Sequence, residues 1–309
     1  MSYPYLSDVL NQIFGTQWHI PIAMFGSFVA IAIVVGTWIA KLEVKRFEGL
    51  GLLPKANVST GVYVPTHKIL SDLAMVTAIA GIIGARVFHI LEYPSEFLAN
   101  PMGMMLSGAG LSIYGGLIFG VIAGVVFLRK RSVPIVPMLD ALAPAMILGY
   151  GIGRIGCQIS GDGDWGIPAN MTMKPDFLPD WFWAQTYENN IVGAIIQSPG
   201  VYPTPIYEAL AALIAFSILW VARKSEYSKG FIFSIYLLLS GFSRLLIEKI
   251  RINSEYHFFG ISFTQAEFIS VLLILLGLGG ILRVNKIRYV SKIFISFTIV
   301  GALTACAKL

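Results

Sequence analysis

Met138-Leu-Asp-Ala-Leu-Ala-Pro-Ala-Met-Ile-Leu-Gly-Tyr-Gly-Ile-Gly-Arg-Ile-Gly-Cys157 is a run of twenty residues with one acid and one base. About 20 such residues in a helix cross the ~30 Å hydrocarbon core of a bilayer. Runs of the same kind occupy residues 20–40, 69–91, 110–128, 204–222, 230–250 and 264–282. A shorter run, 293–307, is read as a short eighth span or an interfacial helix. The whole chain agrees: of its 309 residues 56% are hydrophobic and 13% charged, with a mean hydropathy of +0.74. A soluble domain carries about 25% charged residues. The expected fold is therefore all-α, a polytopic membrane protein of seven transmembrane helices. Residues 1–285 read as a single membrane domain with a long loop at 158–203, and 286–309 as an apolar tail.

The composition excludes a secreted disulfide scaffold, a disordered chain and a nucleic-acid partner. Two cysteines, Cys157 and Cys306, lie in separate segments and indicate no bridge framework. No Lys or Arg precedes Lys41, so the first span reads as a signal anchor, not a cleaved signal peptide. Alternate loops collect fifteen of the 22 basic residues, from Lys41, Lys45 and Arg46 through Arg129–Arg131 and Arg223–Lys229 to Arg283–Lys292. The intervening loops hold only Lys174. Basic loops stay inside, so the N-terminus, the 158–203 loop and the 252–263 loop are expected outside.

Three arginines fall inside apolar runs: Arg86, Arg154 and Arg244. A charge at the bilayer centre costs roughly 2.5–3.5 kcal/mol on insertion scales, so each needs a partner or a task. All three lie toward the outer ends of their spans. Guanidinium forks match phosphate oxygens, and the phosphate at that depth is a lipid headgroup. Snorkelling, or simple pairing with a neighbouring Glu, is the plainer alternative.

Several stretches surround these arginines. Gly151, Gly153 and Gly156 satisfy a dinucleotide-type G-x-G-x-x-G, but within a membrane span and outside any βαβ unit, so no nucleotide cofactor is expected. Small residues there serve close helix packing. The polar Ser160-Gly161-Asp162-Gly163-Asp164 follows, where backbone N–H groups can approach an anion. Cys157 reads as a buried, unreactive thiol. Tyr114 stands beside Gly115 and Gly116, where glycine implies that something approaches closely. Arg86, His89 and Tyr93 share a helix face, with His89 a candidate base. Arg244 and Glu248 are spaced i, i+4, with Arg251 a turn beyond, and Glu208 lies a turn into the fifth span. No His/Cys/Asp spacing suggests a metal, and there is no P-loop or G-x-S-x-G.

Taken together, residues 18–285 resemble the bacterial prolipoprotein diacylglyceryl transferases. Gly153-Arg154-Ile155-Gly156, Gly161-Asp162 and Trp165-Gly166 are similar to that family's G-R-x-G-N-F-x-N-G-E-x-W-G. Leu111-Ser112-Ile113-Tyr114-Gly115-Gly116-Leu117 is like its M-S-F-H-G-G-L, and Tyr202-Pro-Thr-Pro-Ile-Tyr-Glu208 like its H-P-x-Q-L-Y-E. Arg244 to Arg251 follows its R-x-x-x-E-x-x-R, and Gly84-Ala85-Arg86 with Tyr93 adds support. Cys157, Ser160 and Asp162 stand where the family has Asn, Asn and Glu, one residue is inserted before Trp165, and Tyr114 replaces a His. His89 in turn stands where the family has a Tyr.

The resemblance implies a transferase of the bacterial inner membrane with no cofactor and no metal. It would move the diacylglyceryl group of phosphatidylglycerol to the lipobox Cys of a prolipoprotein signal peptide. Arg154 and Arg244 would stabilise the departing phosphate. Because His89 and Tyr114 each stand where the family has the other type, His89 is expected to act as base with Tyr114 as its partner. Arg86, Gly115, Gly116, Gly156, Gly161, Asp162, Glu208, Glu248 and Arg251 would complete the substrate site, toward the outer leaflet. A related headgroup transferase with another acceptor, or an anion channel or transporter lined by the arginines, are the alternatives. Leu303-Thr304-Ala305-Cys306 has the form of a lipobox, read as a coincidence in an apolar run.

Overall fold

The structure is a computed structural model and describes residues 2–106, 112–224, 228–253, 255–258 and 261–284. In chain order the helices are α1 (Leu6–Phe14), α2 (Met24–Gly49), α3 (Leu70–Glu92), α4 (Pro94–Ala99), α5 (Pro101–Leu106) and α6 (Ile113–Lys130). They continue with α7 (Ile135–Ser160), α8 (Asp180–Trp183), α9 (Thr204–Ala222), α10 (Phe231–Glu248) and α11 (Gln265–Val284). Seven of them, α2, α3, α6, α7, α9, α10 and α11, are long and apolar enough to cross a membrane. Each of the seven long expected spans has its helix, and the protein is a multi-pass membrane protein. The apolar run at 293–307 and Cys306 lie outside the described residues.

The first span differs most from its expected limits. Helix α2 continues nine residues past position 40, through Lys41, Lys45 and Arg46. Hydropathy registers only the part that fits hydrocarbon. The extension is held by side chains: Arg46 pairs with the buried Glu43 at 2.9 Å, and Val44 and Phe47 are buried. Two short antiparallel hairpins, β1–β2 (Ala56–Ser59, Val62–Val64) and β3–β4 (Glu255–Phe258, Ile261–Thr264), were not expected in an all-α chain. The first turns at Gly61, whose φ of +79° suits glycine, between β-branched residues that favour strands.

The chain divides into two compact units, one of Met1–Gly36 with Ala143–Leu309 and one of Thr37–Leu142. In the Thr37–Leu142 unit, α3 and α6 cross at glycines. A methyl built on Gly115 would lie 2.1 Å from the Gly84 carbonyl oxygen, and one on Gly84 would lie 2.4 Å from that of Gly115. The backbones therefore touch directly, which only small residues permit. In the other unit, α9 and α10 enclose an apolar core of Leu219, Phe231, Ile232, Ile235 and Leu239, joined by Ile281 of α11. Helix α9 opens with Thr204-Pro205, where the missing proline N–H costs nothing. Helix α7 ends at Ser160, where Gly161 turns left-handed at φ +61° and its N–H still reaches the Cys157 carbonyl at 3.0 Å.

Candidate active site

Where α7 ends, the chain must reverse, and Gly161 and Gly163 (φ +97°) carry the turn. It delivers Asp164, Trp165 and Gly166 to the segments on either side of α9 and α10. Gly166 donates its N–H to the Tyr202 carbonyl at 2.9 Å, and Ile167 donates to the Ile250 carbonyl at 2.8 Å. A methyl at Gly166 would fall 2.4 Å from that Ile250 oxygen, so the glycine is what lets this strand-like meeting close. Thr204, at the head of α9, donates its hydroxyl to the Asp164 carbonyl at 2.6 Å. The backbone of the turn is thereby pinned beside Arg251, just past the end of α10.

Three guanidinium groups meet here around Glu208, which is 3% exposed. Its Oε1 accepts from Arg244 Nη1 and from the Tyr150 hydroxyl, each at 2.9 Å. Its Oε2 faces Arg154 Nε at 3.1 Å and Arg251 Nη1 at 3.5 Å. Asp164 joins the other sides of two of them, pairing one oxygen with Arg154 Nη1 and the other with Arg251 Nη2, the latter at 2.6 Å. Arg244 reaches Glu248 one turn on, at 3.0 Å. Glu248 also accepts from Asn253 and Thr264, both at 2.6 Å. The cluster holds three formal positive and three formal negative charges. Two charges ~3 Å apart attract by about 5 kcal/mol at an effective dielectric near 20, which offsets the cost of taking them from water.

Burial by itself would raise the Asp164 carboxyl above its ordinary pKa, but Arg154 and Arg251 outweigh it and hold that carboxyl below the usual range. Asp162 is shifted the other way: burial raises its carboxyl, and the neighbouring Asp164 charge adds to the effect.

Of the residues expected in the site, Arg154, Arg244, Arg251, Glu208 and Glu248 are brought together. Asp162 meets the Asp164 backbone N–H at 3.3 Å, and it is Asp164, outside the expected set, that meets the arginines. Gly161 serves the turn. Gly156 serves packing, since a methyl there would lie 2.7 Å from the Phe28 Cβ of α2. Arg86, His89, Tyr114, Gly115 and Gly116 belong to the Thr37–Leu142 unit. There Arg86 donates to the Met104 carbonyl at 2.8 Å, and the His89 and Tyr93 rings lie 5.0 Å apart. The neighbour that Gly115 and Gly116 accommodate is α3, at Gly84 and Gly81.

Sequence reasoning missed Tyr150, Asp164, Thr204, Asn253 and Thr264. Tyr150 was legible: it stands four residues before Arg154, on the same helix face, and its ring lies 5.1 Å from that guanidinium. Cys157 is buried, with its sulfur 3.8 Å from Arg154 Nη1. Cys157, Asp162 and Asp164 also bring three donor atoms within 4.8 Å of one another, a grouping that linear spacing did not disclose. Both Asp164 oxygens in that group already face guanidiniums.

The arrangement can bind an oxyanion and stabilise negative charge as it develops. The chain is also similar to known proteins. The chain is 25% identical to a phosphatidylglycerol–prolipoprotein diacylglyceryl transferase of Leptospira interrogans over 91% of its length and 94% of the relative's. It is 28% identical to one of Clostridium tetani over 88% and 96%, and 29% identical to one of Corynebacterium glutamicum over 76% and 71%. The family model for prolipoprotein diacylglyceryl transferase matches residues 12–283, a stretch that takes in all seven spans and every residue of the arginine–carboxylate cluster. This chain belongs to the prolipoprotein diacylglyceryl transferase family.

Proposed function

We propose that this protein transfers the diacylglyceryl group of phosphatidylglycerol to the lipobox cysteine of a prolipoprotein signal peptide. The observation that carries this reading, beside the family, is the focus of Arg154, Arg244 and Arg251 on one buried carboxylate. In the reaction the cysteine sulfur bonds to the glycerol CH₂ as the bond from that carbon to the phosphate oxygen breaks. The electron pair leaves with the oxygen, and the thiol proton ends on the released glycerol phosphate. A thiol of ordinary pKa ≈ 8.5 needs a base for this. The reading assigns that base to His89 with Tyr114 as its partner, because each type stands where the family has the other. Complementation with His89→Ala and Tyr114→Phe tests the assignment; full activity of the His89 variant refutes it.

The same reading places the N-terminus outside and the arginine cluster toward the outer leaflet, since fifteen of 22 basic residues fall in the alternate loops. There a diacyl lipid can enter sideways between helices without its tails crossing water. An anion conduit fits less well: such a path needs unpaired charge along its length, and these guanidiniums are matched by carboxylates.

The test combines rescue of a transferase-depleted bacterium with an assay of purified protein, phosphatidylglycerol and a lipobox peptide. The peptide should gain the mass of a diacylglyceryl group, and Arg154→Gln and Arg244→Gln should abolish the gain. Consumption of the lipid with an unmodified peptide would indicate another acceptor instead.

A further inference from the structure

The arginine cluster is already neutral before any substrate arrives. A phosphodiester brings one more negative charge, and in a site of low dielectric an unmatched charge is costly. Binding therefore calls for one resident anion to withdraw. The three carboxylates differ in how firmly they are held. Glu248 is fully buried as a side chain and Glu208 is 3% exposed, each fixed by a neutral donor as well as by arginine. Asp164 is 33% exposed, and among the described residues the side chains that hold it are Arg154 and Arg251. Its backbone is pinned by Thr204, so its carboxylate can leave by a side-chain rotation alone.

A second observation concerns Arg251, which is 10% exposed as a side chain. Its Nη2 holds Asp164, while Nε is buried with no hydrogen-bond partner among the described residues. Nε and Nη2 form one planar fork, suited to two oxygens of a single anion. Asp164 fills half of that fork. The two free oxygens of a phosphodiester would fill all of it.

We propose that Asp164 is an internal stand-in for the substrate phosphate: it occupies Arg154 and Arg251 in the empty enzyme, withdraws when phosphatidylglycerol binds, and returns to help expel glycerol phosphate. The idea rests on the function proposed above. In that cycle the arginines are never left unmatched, and the product does not remain on three cations.

The test measures binding of phosphatidylglycerol, without acceptor peptide, to purified protein in nanodiscs, against phosphatidylcholine as control. Asp164→Asn removes the competing charge and should tighten phosphatidylglycerol binding by roughly five- to tenfold, the scale of one part-exposed ion pair. In the transfer assay the same variant should lower KM, lower kcat and strengthen inhibition by glycerol phosphate. Asp164→Glu, which keeps the anion, should bind phosphatidylglycerol more weakly than Asp164→Asn does, and Asp164→Ser serves if the Asn variant does not fold. Weaker binding and a raised KM in Asp164→Asn, with a wild type that prefers phosphatidylglycerol, would make Asp164 a strut for the arginines and overturn the proposal. A wild type that binds both lipids equally would overturn the functional reading itself.

Discussion

Glu208 is where Arg154, Arg244, Arg251 and Tyr150 meet, so Glu208→Gln is the sharpest single perturbation of the cluster. The amide keeps the shape and can still accept the Tyr150 hydroxyl, but the charge is gone. Two of the three ion contacts lie at 2.9–3.1 Å, each worth about 5 kcal/mol of gross attraction at an effective dielectric near 20. Desolvation already cancels much of that. Breaking a buried pair typically costs ~3–5 kcal/mol net, because the remaining charge is stranded. The melting temperature of the detergent-solubilised protein should fall by roughly 10 °C. A double-mutant cycle with Arg244→Gln separates the contact from general damage. Melting free energies of the two singles and the double should show a coupling of about 1–3 kcal/mol, since the second change removes a charge that the first already stranded. Additivity within ~0.5 kcal/mol would refute the reasoning, for it would mean that the two side chains do not sense each other.

Gly166→Ala should uncouple the turn from the segment at Ile250 and move Arg251; transfer activity should collapse while helical circular dichroism stays at the wild-type level. Gly115→Ala places a methyl 2.1 Å from the Gly84 carbonyl and should destabilise the α3–α6 crossing by ~1–3 kcal/mol, read as a lower melting temperature. Asp162, whose carboxyl is raised by burial, binds a proton more firmly in the folded state than in the unfolded chain across the pH range between its ordinary and its raised value. Its favourable contribution is present below the ordinary value of about 3.9 and is lost as pH rises through the raised one. Asp162→Asn should therefore melt higher than wild type at pH 7 and at the same temperature near pH 3.5, approximately the lower edge of that window.

The seven spans were legible because apolar transfer energy is nearly additive along a window, and the helix supplies its own backbone partners. The family resemblance was legible for a different reason: its residues cluster in short motifs, Gly153 to Gly166 and Arg244 to Arg251 among them. Past position 40 the α2 sequence turns polar and windowed hydropathy no longer registers the helix, which continues to Gly49 with Glu43 and Arg46 paired at i, i+3. The glycines at 115 and 116 announced a close neighbour without naming it, because any approaching backbone leaves the same mark on the sequence.

The choice between Asp162 and Asp164 shows the boundary most clearly. Both are acids in one glycine-rich turn, and motif matching favoured the first. The sequence by itself determined a seven-span membrane protein, the loops that collect its basic residues, and which arginines and carboxylates stand near the ends of its spans. Only the tertiary structure decided which carboxylate faces which arginine. Arg251 and Asp164 are 87 residues apart and Arg244 and Glu208 36, and each pair meets through a hydrogen bond shorter than 3 Å. Hydrophobicity belongs to each residue wherever it stands, whereas an ion pair is a property of distance, and distance between remote segments exists only once the chain has folded.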